Sequence, residues 1–300
     1  MRVVVFGASG VQGAAQLPVL LRAGYDVVAV CRNPKPLEVE GKRVETVSVD
    51  FSDKAAIEKV VKGAEVLFVN LPSTSFAQAE PILAAAKAIG EAAKAASVKL
   101  IIFNTSMPVP EEPQDIKAQD DRREMRHLLR ESGVPVISIQ PVCYLDNLLE
   151  GWALPPIRDR NTVVYCHKPT LRSSWICHDD LAKLMVAAID RPDLAGQNIR
   201  VGGPETVSLE QLTEKLSKGW DRKLNYENQT VPDFCDKISQ TMKGRGLDTD
   251  RIVKQMFKAY TYYNEVPEFD VDMGPVLKEL PVKLTPIEQW ARTHPVPGWS

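Results

Sequence analysis

The first half of the chain alternates short apolar runs with longer segments in which apolar residues recur every three or four positions. The short runs predict strands and the longer segments predict helices, and their alternation is typical of a parallel sheet covered on both faces. Six strands joined by right-handed crossovers predict an α/β protein with a doubly wound parallel sheet. The predicted strands are 3–6, 26–31, 43–49, 65–70, 99–104 and 134–140, and the predicted helices are 11–23, 53–61, 76–96 and 118–132.

The pattern becomes irregular after Pro141. Thr285 and Glu288 have the spacing of a capping box, with Pro286 at the first helical position, and they predict a closing helix. We divide the chain into a sheet domain over 1–141 and a smaller, mostly helical substrate domain or lid over 142–300, of which about 175–203 returns to the sheet. The other elements predicted in this half are helices at 142–151, 179–190 and 208–217, strands at 162–166 and 198–201, and two helices within 231–263 broken at 243–246.

Three glycines spaced Gly-x-x-Gly-x-x-Gly follow the first predicted strand and open the first predicted helix. Gly7 permits a tight turn, Gly10 lets the backbone approach a pyrophosphate, and Gly13 lets the helix pack near the sheet. The N–H groups and the dipole at the start of that helix favour an anion. Between a strand and a helix, this motif is a strong indication of dinucleotide binding. The cofactor contacts predicted in this stretch are Gly7, Ser9, Gly10, Val11, Gln12 and Gly13.

Further candidate contacts follow the ends of later strands, because ligands of doubly wound sheets bind outside the carboxyl ends of the strands. Asp50 and Phe51 are expected on the adenine side. Asn70 and Leu71 are expected to flank the ribose side, and Asn104 lies on the same rim. Each polar group is equally compatible with an ordinary strand end.

The end of the second strand distinguishes the two nicotinamide cofactors, because an acidic residue there binds a ribose 2′-hydroxyl and an arginine accommodates a 2′-phosphate. The segment from Val30 to Lys35 contains no carboxylate. Arg32 offers a planar donor fork and Lys35 a second positive charge, so we predict NADP(H). The alternative interpretation is a basic turn exposed to solvent.

Composition narrows the remaining classes of function. The net charge of −2, from 37 basic and 39 acidic residues, gives no general attraction to nucleic acid or to an anionic membrane. No apolar run approaches the ~18 residues that span a bilayer, and no apolar leader precedes the first strand. The five cysteines are scattered without a Cys-x-x-Cys pair, so neither a disulfide framework nor a metal site is predicted. We expect a cytoplasmic protein.

Several segments together resemble the NmrA-like family of atypical short-chain dehydrogenase/reductase proteins. They are GASGVQG, CRNP, VDFSD, SIQPVCYLDNLL, HDDLAKLMVAAI and GQNIRVGGPETVSLEQL, within about residues 1–220. The resemblance implies a Rossmann fold with a small C-terminal domain and bound NADP(H). It also implies one of two activities, because some members are reductases of quinones, isoflavones and related compounds, and others are redox-sensing regulators without chemistry.

The catalytic residues of this chain depart from the usual short-chain pattern. The usual motif is Tyr-x-x-x-Lys, in which the lysine lowers the pKa of the tyrosine for proton transfer. None of the seven tyrosines is followed by a lysine four residues later. Similar reductases keep a lysine early in the helix before the sixth strand, and that position falls on Arg122, with Lys117 as the alternative. Arginine stays charged and cannot donate a proton, but it can hold a ribose or polarise an oxygen.

Ser106 and Tyr144 complete the candidate catalytic set. Ser106 could hydrogen-bond a substrate carbonyl, although a simple turn residue is as good an interpretation. Tyr144 could stack on nicotinamide or donate to substrate, although it could equally be a packed aromatic. Trp152, Trp175 and Phe234 are candidate walls of a substrate pocket, or core residues.

Three hypotheses follow. The first is an NADPH-dependent oxidoreductase acting by hydride transfer on a small, fairly apolar carbonyl, enone or quinone-like molecule, with a homodimer as an open alternative to a monomer. The second is a non-catalytic NADP(H)-binding sensor that binds a regulatory protein partner. The third, which is weaker, is a non-redox step such as isomerisation.

Overall fold

The computed structural model describes residues 1–33, 36–75, 78–242 and 248–299. The chain divides into two compact units. The first contains residues 1–141, 178–200 and 274–282, and the second contains 142–177, 201–273 and 283–300. Among the described residues, no helix combines the length and the apolar character that crossing a membrane requires.

The first unit is built on an eight-stranded sheet. Its first seven strands are β1 (Arg2–Phe6), β2 (Asp26–Cys31), β3 (Leu37–Val39), β4 (Lys42–Ser48), β5 (Val66–Asn70), β6 (Leu100–Asn104) and β7 (Val136–Pro141). Asn198–Val201 adds the eighth strand beside β7, and the order across the sheet continues β6, β5, β1, β2, β4, β3. The pairs from β4 to β7 through the centre of the sheet are parallel. This mostly parallel sheet with its crossovers confirms the predicted α/β class.

Four helices connect the strands of the first unit where the sequence pattern predicts them. They are α1 (Val11–Arg22), α2 (Lys54–Val61), α3 (Ala79–Ala95) and α4 (Lys117–Glu131). Asp53 caps α2, because its carboxylate accepts from the Ala56 N–H at 3.0 Å. Strand residues such as Phe6 and Phe103 are fully buried against the apolar faces of the helices, so the carboxyl ends of the strands are held at one rim.

The short strand β3 was not predicted. It pairs antiparallel with β4 through a turn at Glu40 and Gly41, which both have positive φ (51° and 73°). Three residues with a charged centre, Leu37-Glu38-Val39, carry too little apolar alternation to indicate a strand before its partner is known.

The second unit has a core of its own. Trp175 and Trp290 are among its largest buried side chains, and they pack with apolar residues such as Val163 and Leu212. The remaining described helices of four residues or more are Asp146–Leu149, Leu154–Arg160, His178–Ala187, Leu209–Gly219, Val231–Met242, Thr249–Glu265, Met273–Glu279 and Ile287–Thr293. The remaining described short strands are Thr162–Tyr165, Ser173–Ser174, Thr206–Val207 and Asn225–Asn228.

Two helix predictions in this half differ from the structure. The helix predicted over 142–151 is only a short 3₁₀ turn at Asp146–Leu149. The closing helix begins at Ile287, one residue after the predicted first helical position Pro286, and the Ile287 N–H donates to the Glu205 carboxylate at 2.7 Å. A carboxylate distant in sequence therefore satisfies this helix start, which the local spacing could not reveal. The predicted break at 243–246 lies outside the described residues.

The glycine turn between β1 and α1 is a point of very close backbone approach. Gly7 has φ +73°, and a Cβ there would lie 2.3 Å from the Asn70 carbonyl oxygen. A Cβ on Gly13 would lie 2.3 Å from the carbonyl oxygen of Gly7. Glycine at both positions is therefore a requirement of packing in the protein itself.

We expect Gly7→Ala to destabilise the protein much more than Gly24→Ala. Both glycines have positive φ, but a Cβ at Gly24 (φ +83°) would meet no atom within 4 Å. The left-handed conformation should cost ~1–2 kcal/mol in either variant, and the clash should add a further ~1–3 kcal/mol at Gly7. Urea denaturation followed by circular dichroism measures the difference, and equal midpoints for the two variants would contradict this account.

Candidate functional site

A cavity of about 360 Å³ lies in the first unit along the carboxyl ends of β2, β1, β5 and β6. Among the described residues that line it there are two arginines and no carboxylate. Its lining residues are Gly7, Ser9, Gly10, Val11, Gln12, Gly13, Cys31, Arg32, Phe51, Asn70, Leu71, Pro72, Ser73, Ser106, Met107 and Arg122.

The start of α1 forms one wall of this cavity. The N-cap Gly10 has an extended backbone (φ −77°, ψ 155°), and neither a side-chain cap nor a first-turn acidic residue satisfies the N-terminal N–H groups from within the described chain. A Cβ on Gly10 would have one neighbour within 4 Å, the Gly7 carbonyl oxygen at 3.3 Å. Unlike Gly7 and Gly13, Gly10 therefore leaves open space in front of the helix, and the wall suits an anionic group.

A network of amides fixes this wall to the sheet. Asn70 and Asn104 are paired in register at the ends of β5 and β6, and Asn104 donates to the Asn70 side-chain oxygen at 3.0 Å. Asn70 exchanges two hydrogen bonds of 2.9 Å with the fully buried Gln16 of α1, and it also donates to the Phe6 carbonyl at 3.0 Å. Asn104 donates to Gln12 Oε1 at 2.6 Å. Uncharged groups thus hold the turn, and the arginines of the cavity are not neutralised by them.

Ser106 lies in the cavity wall with a left-handed backbone. Its φ of 61° is strained for a residue with a side chain, and its N–H donates to the Asn104 side-chain oxygen at 2.9 Å. The hydroxyl donates to Gln12 Oε1 at 3.0 Å. The amide network therefore determines where this hydroxyl points.

Arg32 lies at the β2 end of the cavity and is exposed. Its backbone carbonyl accepts from the Ser48 hydroxyl at 2.9 Å, which fixes the segment that follows β2. Asp50 does not line the cavity, because its carboxylate accepts from the N–H and the hydroxyl of Ser52 at 2.9 and 2.8 Å. These two bonds, with a smaller contribution from Arg32, lower the pKa of the Asp50 carboxyl.

Arg122 of α4 reaches the cavity at the β6 end and is 2% exposed. One of its guanidinium nitrogens lies 3.7 Å from the Met125 sulfur. Lys117, the alternative position, does not line the cavity, and its ammonium pairs with Asp121 at 3.2 Å. Of the two candidates for the lysine position, Arg122 is the one that faces the cavity.

The other predicted site residues lie elsewhere. Asn104 is fully buried behind the cavity wall and acts through Gln12 and Ser106. Tyr144 belongs to the second unit, is 4% exposed and forms a backbone bridge with Ile176. Lys35 lies outside the described residues.

Four lining residues were not predicted: Cys31, Pro72, Ser73 and Met107. Each is next to, or one residue beyond, a predicted contact at a strand end, so the strand ends themselves were the available signal. Burial raises the pKa of the Cys31 thiol, which favours its neutral form. No group of three or more potential metal ligands occurs among the residues that the structure describes.

Comparison with known proteins gives a family and a fold. The profile of the NmrA-like family matches residues 1–291. A (4-alkanoyl-5-oxo-2,5-dihydrofuran-3-yl)methyl phosphate reductase from Streptomyces griseus subsp. griseus is 30% identical over 233 residues, which cover 76% of this chain and 77% of the relative.

Two solved structures share the fold at low identity. One is an NADPH-dependent quinone oxidoreductase from Escherichia coli in complex with NADPH (TM-score 0.76, 19% identity, covering 98% of this chain and 99% of the other). The other is NmrA, a negative transcriptional regulator, in complex with NAD (TM-score 0.74, 19% identity, covering 97% and 94%).

The amide network predicts unequal costs for two substitutions. Asn70→Leu removes the acceptor for both Gln16 and Asn104, and should lower the free energy of unfolding by ~2–4 kcal/mol. Gln16→Met should cost only ~1 kcal/mol, because Asn70 keeps its bonds to Asn104 and the Phe6 carbonyl. Chemical denaturation of both variants measures these costs, and a Gln16→Met loss as large as that of Asn70→Leu would refute the central role of Asn70.

Proposed function

The chain belongs to the NmrA-like family, and on this basis we propose that it is an NADPH-dependent oxidoreductase. Its substrate is a small, fairly apolar enone, quinone-like or other carbonyl compound, reduced by hydride transfer. The observation that carries the proposal is the cavity of the first unit, which runs from Arg32 past the glycine turn to Ser106 and Arg122.

The order of the strands supports a cofactor that lies with its adenosine end near Arg32 and its nicotinamide end near Ser106 and Arg122. The wall changes from Arg32 after β2, to the glycine turn after β1, to Asn70 at the end of β5 and Ser106 after β6. In this arrangement the glycine turn and the start of α1 hold the pyrophosphate, and Arg32 meets the 2′-phosphate. The nicotinamide end then lies toward Ser106 and Arg122. The cofactor supplies the hydride, and the protein supplies binding and orientation.

The missing Tyr-x-x-x-Lys favours conjugated acceptors over simple ketones. Hydride addition to a ketone gives a strongly basic alkoxide that needs a positioned acid, whereas addition to an enone or a quinone gives a delocalised and less basic anion. Arg122 can stabilise that anion without giving up its own proton, and water can then protonate the anion. The Ser106 hydroxyl donates its single proton to Gln12 Oε1, and it can donate to a substrate oxygen only by turning away from Gln12.

The relative from Streptomyces supports a conjugated acceptor, but the methyl phosphate in its name is charged, so it does not support the apolar part of the proposed class. Its name describes a dihydrofuranone that carries an alkanoyl group, in which the ring double bond is conjugated to carbonyls. The E. coli structure is named as a quinone oxidoreductase, and quinones are conjugated acceptors as well.

A non-catalytic NADP(H) sensor is the second candidate, and the absence of Tyr-x-x-x-Lys from the sequence favours it. The fold is shared with a transcriptional regulator that binds NAD. A regulatory protein partner, a homodimer and a cytoplasmic location stay predictions from the sequence.

We expect Arg32→Ala to weaken NADPH binding by about tenfold to a hundredfold, because a charge-assisted contact to phosphate is lost. NADH binding should change by less than about threefold, since NADH has no 2′-phosphate. Arg43→Ala is the matched control, because Arg43 is exposed on β4 and does not line the cavity. Fluorescence titration with both cofactors measures the effect, and an equal loss for NADH would contradict the assignment of Arg32.

The oxidoreductase itself is tested by NADPH consumption with matched acceptors. Quinones and cyclic enones should be reduced, and saturated ketones of the same size should be reduced at least ~100-fold more slowly. Ser106→Ala and Arg122→Met should each lower kcat by about tenfold to a hundredfold with little change in the Kd of NADPH. Tyr144→Phe tests the remaining candidate donor. Tight NADPH binding without turnover of any acceptor would refute the enzyme and support the sensor.

A further inference from the structure

A second cavity, of about 470 Å³, is bounded by residues of the second unit. Its volume is within the range of about 300–1,000 Å³ that is usual for small-molecule sites. Trp152, Pro155, Pro156 and Phe234 form most of its apolar wall, and Gln229, Lys237 and Gln240 are its polar lining residues. Trp152, Trp175 and Phe234 were candidate walls of the substrate pocket or core residues, and none of the three lines the nucleotide cavity. Trp152 and Phe234 line this second cavity, and Phe234 is as deeply buried as Trp175.

The aromatic wall of this cavity is held rigidly. The Trp152 ring lies 4.9 Å from the Tyr165 ring and 4.7 Å from that of Phe234, at an interplanar angle of 67° in the second pair. Phe234 in turn packs edge-on against Tyr260 at 4.7 Å. Trp152 is only half-buried, so part of its ring remains available to a ligand. Such a wall favours a flat ring, because aromatic pairs gain energy beyond their buried area.

Two prolines make the other apolar part of the wall equally stiff. Pro155 and Pro156 lie in the first turn of the helix Leu154–Arg160, where their fixed φ is compatible with the helix. A ligand that binds here therefore orders few side chains, which lowers the entropic cost of binding.

A single cation is fixed beside these apolar walls. Gln229 is 5% exposed, and in the amide orientation that satisfies both neighbours its oxygen accepts from Lys237 Nζ at 3.0 Å and from the Phe234 N–H at 3.3 Å. Among the described lining residues there is no carboxylate. Asp233 of the same helix does not line the cavity, and its carboxylate accepts from the Thr230 hydroxyl at 2.6 Å. Lys237 is the only cation among the described lining residues, and a cation next to apolar walls suits a ligand that carries an anionic group.

We propose that this cavity binds a planar aromatic carboxylate. The ring packs on Trp152 and the two prolines, and the carboxylate pairs with Lys237. The nucleotide cavity is lined by residues of the first unit, and it shares no lining residue with this one.

Isothermal titration calorimetry of the full chain with 1-naphthoate tests the proposal. The titrations contain saturating NADPH, so that the probe does not compete for the nucleotide cavity. 1-Naphthoate should bind with one site per chain, and 1-naphthalenemethanol, which lacks the charge, should bind at least about tenfold more weakly. Cyclohexanecarboxylate, which lacks the flat ring, should also lose at least about tenfold.

Two substitutions measure separately the contributions of the Lys237 charge and of the Trp152 ring to binding. Lys237→Met should weaken 1-naphthoate about tenfold and leave 1-naphthalenemethanol unchanged. The control Lys218→Met removes an exposed lysine of the second unit that does not line the cavity, and it should change neither affinity. Trp152→Leu should weaken both naphthalene compounds. No binding of 1-naphthoate, or binding that survives both Lys237→Met and Trp152→Leu, would overturn the proposal.

Discussion

The close approach of the glycine turn to the end of β5 is the constraint on which the first unit depends. Gly7 lies against the Asn70 carbonyl and Gly13 lies against Gly7, so neither position has room for a Cβ. This contact brings the start of α1 over the rim of the sheet with its N–H groups toward the cavity. Gly10 differs from both, because the space before it is open and is available to a ligand.

The turn is held in place by uncharged groups, and this decides the electrostatics of the cavity. Gln16, Asn70, Asn104 and Gln12 form a continuous set of amide hydrogen bonds from the buried face of α1 to the cavity wall. Carboxylates in the same positions would place negative charge beside a cofactor that is itself an anion. Amides satisfy the buried polar groups without that repulsion, and none of the four adds a charge beside Arg32 and Arg122.

The chemistry that this cavity supports follows from the charge and the protons that its side chains can offer to a substrate. Arg122 holds a positive charge at the end of the cavity opposite Arg32, and Ser106 offers a hydroxyl that its strained backbone and Gln12 keep in place. Neither is a good proton donor at neutral pH. The proposed preference for acceptors that yield a stabilised anion is the consequence, and it makes the absent tyrosine–lysine pair compatible with an enzyme.

The sequence by itself determined the α/β class, the central strands and the glycine turn, because local apolar periodicity and glycine spacing carry that information. The family followed from the resemblance of several short motifs to those of its members. Only the tertiary structure decided which strand-end side chains face the cavity. Asn104 is turned into the amide network, Asp50 toward Ser52 and Lys117 toward Asp121, whereas Arg122 reaches the cavity wall. The direction of a side chain at a strand end depends on neighbours that are distant in sequence. For the same reason, the sequence placed the start of the closing helix one residue too early, because the Glu205 carboxylate that satisfies it comes from another part of the chain.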